Sequence, residues 1–107
     1  MNETKIVVFI TAPTLPVAEQ IAKRLVERRL AACVNILPAI QSIYRWEGKI
    51  HQESEILLVV KTRAGLFEDH LIPAVLEVHP FKVPEIIAVP VMNGLPGYLE
   101  WINQETR

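Results

Sequence analysis

Two apolar-rich runs, Cys33 to Trp46 and Lys49 to Lys61, are separated in this sequence only by Glu47-Gly48. A connection that short joins antiparallel strands, so the two runs read as one long β-hairpin. Closing it at Glu47-Gly48 sets Trp46 opposite Lys49, Tyr44 opposite His51, Ser42 opposite Glu53 and Ile40 opposite Glu55. At the usual strand rise, each arm of about a dozen residues extends roughly 40 Å. A compact chain of 107 residues measures only about 34 Å across when the radius-of-gyration scaling is applied to a sphere. The hairpin is therefore expected to overhang its own domain. The overhang carries Ile43, Tyr44, Trp46 and Ile50, apolar surface beside unpaired strand edges, which soluble proteins cover most simply with further copies of themselves. These four residues are the expected oligomer interface.

Half of the residues are apolar and only four are glycine, which suits one globular domain spanning residues 1–107. Eleven basic against twelve acidic residues, with no block of like charge, argue against a nucleic-acid phosphate track or an anionic membrane surface. The lone cysteine, Cys33, has no intrachain partner, and a small chain without a disulfide points to a reducing compartment, here expected to be the cytoplasm. The apolar run Ile6 to Ile10 is too short for a signal-peptide core. No later stretch approaches the roughly 20 residues that span a bilayer.

Ile6 to Ile10 is mostly β-branched and apolar throughout, as in a short strand buried within a sheet. After Thr11-Ala12-Pro13, Thr14 can cap a helix whose apolar positions Val17, Ala18, Ile21, Ala22, Leu25 and Val26 recur at three- and four-residue spacing. In the first hairpin arm Pro38 cannot donate a ladder hydrogen bond, which predicts a bulge or an edge position. In the second, Ile56 to Val60 is apolar at every position and reads as covered on both faces, whereas His51 to Glu55 is polar. A second helix is expected from Gly65 to about Val78, with Phe67, Leu71, Val75 and Val78 buried and Pro73 kinking it or starting its second half. Pro80 and Pro84 bracket a rigid connection to a last strand, Ile86 to Val91. A short helix, Pro96 to Gln104, follows, with Tyr98, Leu99, Trp101 and Ile102 available for packing. The order is β-α-β-β-α-β plus one helix, an α+β, ferredoxin-like arrangement. One four-stranded antiparallel sheet should carry both helices on one face and leave the other for partner subunits.

Chemistry-bearing residues are few. His70 and His79 sit about half a turn out of phase on a helix, and no pair or cluster has metal-ligand spacing. His51 and His70 read as exposed residues. His79, just before Pro80, either converges with Glu85 or caps the last helix carbonyls. Cys33 reads as a small buried hydrophobe. Glu53 and Glu55 share one strand face, where they keep an edge soluble or bind a cation. Lys61, at the end of an apolar run, must reach water, a carboxylate such as Glu85, or an anion. Tyr44 and Trp46 are rigid rings suited to anchoring an interface. No phosphate loop, nucleophile elbow or Ser-His-Asp order is present, so no catalytic or cofactor-binding residue is assigned and the chain is expected not to be an enzyme.

These segments together resemble the CutA divalent-cation tolerance family. The likeness runs from about Val7 to Ile102 and is carried by Thr11-Ala12-Pro13, Ala31-Ala32-Cys33-Val34-Asn35-Ile36, Ser42-Ile43-Tyr44-Arg45-Trp46-Glu47-Gly48-Lys49, Lys61-Thr62, His79-Pro80-Phe81 and Val83-Pro84-Glu85-Ile86. The resemblance implies a cytoplasmic homotrimer whose long hairpins pair across subunits, linked to tolerance of copper and other divalent cations. Some family members are assigned a copper site made of a cysteine before the Thr-Ala-Pro segment and two adjacent histidines. The matching positions here hold Ile10, Val78 and His79, so His79 is the one metal ligand carried over. A single imidazole implies weak binding of Cu2+ or another divalent cation. Phe81 stands where the family usually has tyrosine.

The expected function is thus a trimer that holds a divalent cation or small molecule in clefts between subunits, with His79, Lys61, Glu85 and Phe81 at the cleft. Two other readings compete: a small-molecule signalling ring similar to the PII nitrogen regulators, and an assembly or scaffold module with no dependence on metal. PII proteins have a long mobile loop where this chain has the tight Glu47-Gly48 turn.

Overall fold

The computed structural model describes residues 3–107. Four strands, β1 (Lys5–Ala12), β2 (Cys33–Trp46), β3 (Lys49–Arg63) and β4 (Ile86–Pro90), form one antiparallel sheet in the order β2-β3-β1-β4. Helices α1 (Leu15–Glu27), α2 (Ile72–Leu76) and α3 (Pro96–Glu105) complete the α+β fold. Ile6, Val8 and Ile10 of β1 pair with Thr62, Val60 and Leu58 of β3, and all six side chains are buried on the helix-covered face. Ala18, Ile21 and Leu25 of α1, with Leu71 and Val75, close the core over them. Each fully buried Val, Leu or Ile of this set contributes about 1.5–3 kcal/mol relative to exposure.

Local chemistry accounts for the element ends. The Thr14 hydroxyl accepts the Val17 N–H at 3.4 Å and caps α1. At its other end Arg29 adopts a left-handed φ of 58°, and the N–H groups of Leu30 and Arg29 bond back to the carbonyls of Leu25 and Val26. That pair of bonds is a Schellman closure, built here on arginine rather than glycine.

The long hairpin forms in the expected register, with Trp46 opposite Lys49, Tyr44 opposite His51 and Ile40 opposite Glu55. Glu47 and Gly48 both take positive φ, 50° and 77°, as a two-residue turn that follows the strand twist requires. The molecule measures 46 × 25 × 23 Å, so the hairpin does project beyond the body. Between Leu37 and Ile40 the register shifts by one residue, with Ala39 at φ 65°. This bulge beside Pro38 has a consequence for side-chain direction, because one extra residue reverses the alternation beyond it. Ser42, Tyr44 and Trp46 consequently stand on the same face as Leu37, together with Glu53 and Glu55 of β3. Ile43 and Ile50 stand on the opposite face, 68% and 69% exposed.

The second helix departs from expectation. Instead of one helix from Gly65, the chain makes a 3₁₀ turn (Ala64–Leu66), a π turn (Phe67–Leu71) and only then α2. Pro73 explains the sequence of forms. Its ring would strike the carbonyl of Asp69 in a regular helix, and the turn widens to an i→i−5 bond from Ile72 N–H to the Phe67 carbonyl. Pro73 then occupies the first turn of α2, where its missing N–H costs nothing. Leu71 and Val75 are buried, and Phe67 and Val78 pack against the core, as the spacing predicts.

The sheet face away from α1 and α2 carries Val7, Phe9, Leu57 and Val59, flanked by Leu37, Ile87 and Val89. The last three are 42%, 55% and 45% exposed, a continuous apolar surface that one chain leaves largely open.

Candidate functional site

The bulge in β2 and the 79–85 segment together create the candidate site. Where the hairpin stem leaves the body, a groove of about 760 Å3 opens between them. Ser42, Tyr44, Trp46 and Glu55 line it from the hairpin, Thr11 from the end of β1, and Phe81, Lys82, Val83 and Glu85 from the segment before β4. Three aromatic rings and two carboxylates therefore face one space, with one ammonium at its margin. The carboxylates make the groove acidic, and the rings can cover an apolar or cationic group.

His79 builds one wall without pointing into the groove. Its ring is buried at 7% exposure, with Nε2 2.8 Å from the Thr11 carbonyl oxygen and Nδ1 accepting the Phe81 N–H at 3.1 Å. The Phe81 ring lies against it, centroids 5.1 Å apart and tilted by 50°. His79 neither caps α2 with its ring nor meets Glu85; it reaches back to β1. On the hairpin, Tyr44 stacks on its register partner His51 at 5.2 Å and 15°. The Tyr44 hydroxyl donates to Glu53, and that hydrogen bond, with some desolvation and the negative charges of Glu53 and Glu55, pushes the phenol above its ordinary value of 10.0.

The structure separates Lys61 from this group. Lys61 pairs with Val7 and Cys33, four residues up β1 from Thr11, or roughly 13 Å along the strand. Its ammonium donates to Asn35 Oδ1 on β2, so of the partners left open for Lys61, water, a carboxylate such as Glu85 or an anion, Glu85 is not taken within one protomer. Strand register is the reason: Glu85 precedes Ile86, which is held opposite Ile10. Half-buried Cys33 lies beside Tyr98 of α3, whose hydroxyl is pushed up mainly by burial and then by the Cys33 thiol. Ile50 lies outside the groove, whereas Tyr44, Trp46 and Ile43 line it. Thr11, Gln41 and Lys82 carry no sequence signal of a site, because nothing in their spacing reveals what the turn at 79–85 brings beside them.

The copper positions implied by the family resemblance do not fit a metal in this protomer. Ile10 is fully buried in the core, Val78 packs against the same core, and both ring nitrogens of His79 already have partners. Among the described residues, no three His, Cys, Asp or Glu side chains converge where a metal could sit.

The comparison with protein families matches residues 6–105 to the model described as CutA1 divalent ion tolerance protein. The chain belongs to the CutA family. Among relatives, it is 49% identical over 102 residues to Protein CutA of Mus musculus, covering 92% of this chain and 55% of that protein. It is 50% identical over 100 residues to the divalent-cation tolerance protein CutA of Thermus thermophilus, covering 94% of this chain and 96% of the relative. The chain thus spans about half the length of the mammalian CutA proteins it matches and nearly all of the bacterial one. The solved CutA1 of Thermus thermophilus superposes with a TM-score of 0.93 at 48% identity, over 96% of this chain and 99% of that one. The CutA of Archaeoglobus fulgidus superposes at 0.90 with 44% identity, over 94% and 97%, and is described as periplasmic. A relative from Arabidopsis thaliana, 46% identical over 95% of this chain and 56% of its own length, is described as chloroplastic. CutA proteins thus occupy several compartments, and family membership alone does not assign the cytoplasm. No helix among the described residues is long and apolar enough to cross a membrane.

Proposed function

We propose that this CutA-family chain assembles as a homotrimer and serves divalent-cation tolerance by holding a cation or small ligand in clefts between subunits. The observation that carries the reading is the groove of Tyr44, Trp46, Phe81, Glu55 and Glu85 on a protomer whose apolar sheet face is open. A projecting hairpin and an uncovered face are both satisfied by copies of the same chain, and the threefold order is the one that the family resemblance implies. Two carboxylates from one protomer make an incomplete cation site, and donors from a neighbouring subunit complete it. Oxygen ligands of this kind suit hard divalent cations better than copper, which prefers nitrogen and sulfur. In this reading the chain binds and does not catalyse, and we take its compartment to be the cytoplasm, a reading that a lone Cys33 supports.

Light scattering coupled to size-exclusion chromatography tests the assembly; a monomer at micromolar concentration removes the intersubunit cleft altogether. Calorimetry with magnesium, calcium, manganese, zinc, nickel and copper on the wild type and on Glu85→Gln tests the ligand. Binding that weakens in the variant supports the groove, and heats absent for every metal eliminate the cation.

A further inference from the structure

We infer that His79 is the positioning residue of the groove, a clasp between β1 and the 79–85 segment, and that divalent cations do not take it as a ligand. The Thr11 carbonyl can only accept a hydrogen bond and the Phe81 backbone N–H can only donate one. With Nε2 at 2.8 Å from the first and Nδ1 at 3.1 Å from the second, the ring is the neutral tautomer protonated on Nε2. The bond from Nε2–H to a carbonyl would by itself suit a metal ligand, since coordinated imidazoles commonly donate their second N–H to such an acceptor. The Phe81 amide removes that option, because it occupies the lone pair a metal would need. A cation at Nδ1 must displace this amide, and one at Nε2 must displace a proton and strip the Thr11 carbonyl of its donor.

Both partners of the clasp, Thr11 and Phe81, also line the groove. The imidazole therefore sets the spacing between the floor at the end of β1 and the wall that carries Phe81, Lys82 and Glu85. The two other positions that would accompany it in a copper site are occupied by Ile10, fully buried, and Val78, packed on the core, neither of which has a donor atom. The groove's use in cation binding rests on the function proposed above; the clasp itself does not.

Long-range nitrogen–proton NMR of the histidine rings, without and with excess zinc as a diamagnetic probe, tests the inference directly. The expected spectrum shows His79 protonated on Nε2 both without and with zinc; the other tautomer, or ring-nitrogen shifts that become those of a metal-bound imidazole on adding zinc, overturns the inference. Amide exchange supplies the second measurement. Phe81 N–H is expected to exchange about tenfold faster or more in His79→Ala, the loss of one part-buried hydrogen bond. His79→Asn, whose side-chain oxygen occupies the place of Nδ1, is expected to restore protection. Unchanged exchange in the alanine variant, or no rescue by asparagine, rejects the clasp. Should the alanine variant fail to fold, the wild-type ring spectrum and the asparagine variant still discriminate between clasp and ligand. Calorimetric silence toward metals with the His79 ring in the expected tautomer removes the cation function and leaves the clasp intact, whereas zinc coordinated by a His79 ring nitrogen does the reverse.

Discussion

Trp46→Ala separates the stability of the protomer from that of its assembly. Trp46 sits at the last paired position before the turn, 51% exposed, and is absent from the buried core. Its loss should therefore weaken an isolated protomer only by the contacts of the half of the ring already covered, leaving it folded. In a trimer whose neighbour covers the exposed half of the ring, about 125 Å2 of further surface is buried per protomer, taking roughly 250 Å2 for a whole tryptophan. At about 25 cal/mol per Å2 this amounts to about 3 kcal/mol per protomer, or roughly 9 kcal/mol for three. Because trimer formation depends on the cube of protomer concentration, the dissociation midpoint should rise on the order of a thousandfold. Sedimentation equilibrium over a dilution series measures that midpoint, and far-ultraviolet circular dichroism checks that the protomer stays folded. A variant as firmly trimeric as the wild type would refute the placement of Trp46 in the interface; one that loses its fold would refute the independence of hairpin tip and core.

Leu25→Ala empties a fully buried site between α1 and the sheet, and urea unfolding should show a loss of about 2–5 kcal/mol. Gly48→Ala meets no atom within 4 Å yet keeps a φ of 77°, so the cost should be purely conformational, about 1–2 kcal/mol; Gly48→Asn should recover much of it in the same urea assay. For Tyr44 the sign follows from the hydrogen bond to Glu53, which favours the neutral phenol in the folded state. A raised folded value means stability present below the unfolded value of 10.0 and lost as pH climbs through the folded one. In a Tyr98→Phe background, ultraviolet titration of Tyr44 should move down toward 10.0 when Glu53 becomes Gln; an unmoved midpoint would contradict the assignment of cause.

The hairpin was legible because its determinants are local. Apolar runs, a two-residue turn and Pro38 suffice to set the register of Tyr44 on His51 and to expect a bulge, since each acts between residues adjacent in the chain or directly across the ladder. The α1 helix was legible for the same reason, through Thr14 and the spacing of Ile21 and Leu25. The irregular helix before Pro73 was only half visible. Proline announces a break, but whether the preceding turn bends, tightens or widens depends on how Leu71 must reach the core.

What the sequence by itself determined is the order of strands and helices, the face that α1 buries, the turn at Glu47-Gly48 and membership of the CutA family. Tertiary structure alone decided which residues share a space. It sent Lys61 to Asn35 and away from Glu85, brought His79 to the Thr11 carbonyl, and gathered Tyr44, Phe81, Glu55 and Glu85 around one groove. The difference is physical: strands and turns are specified by contacts a few residues apart, whereas a site joins segments separated by tens of residues. Their meeting is fixed by sheet register and by a single bulge that turns the side chains of β2 beyond it to the other face.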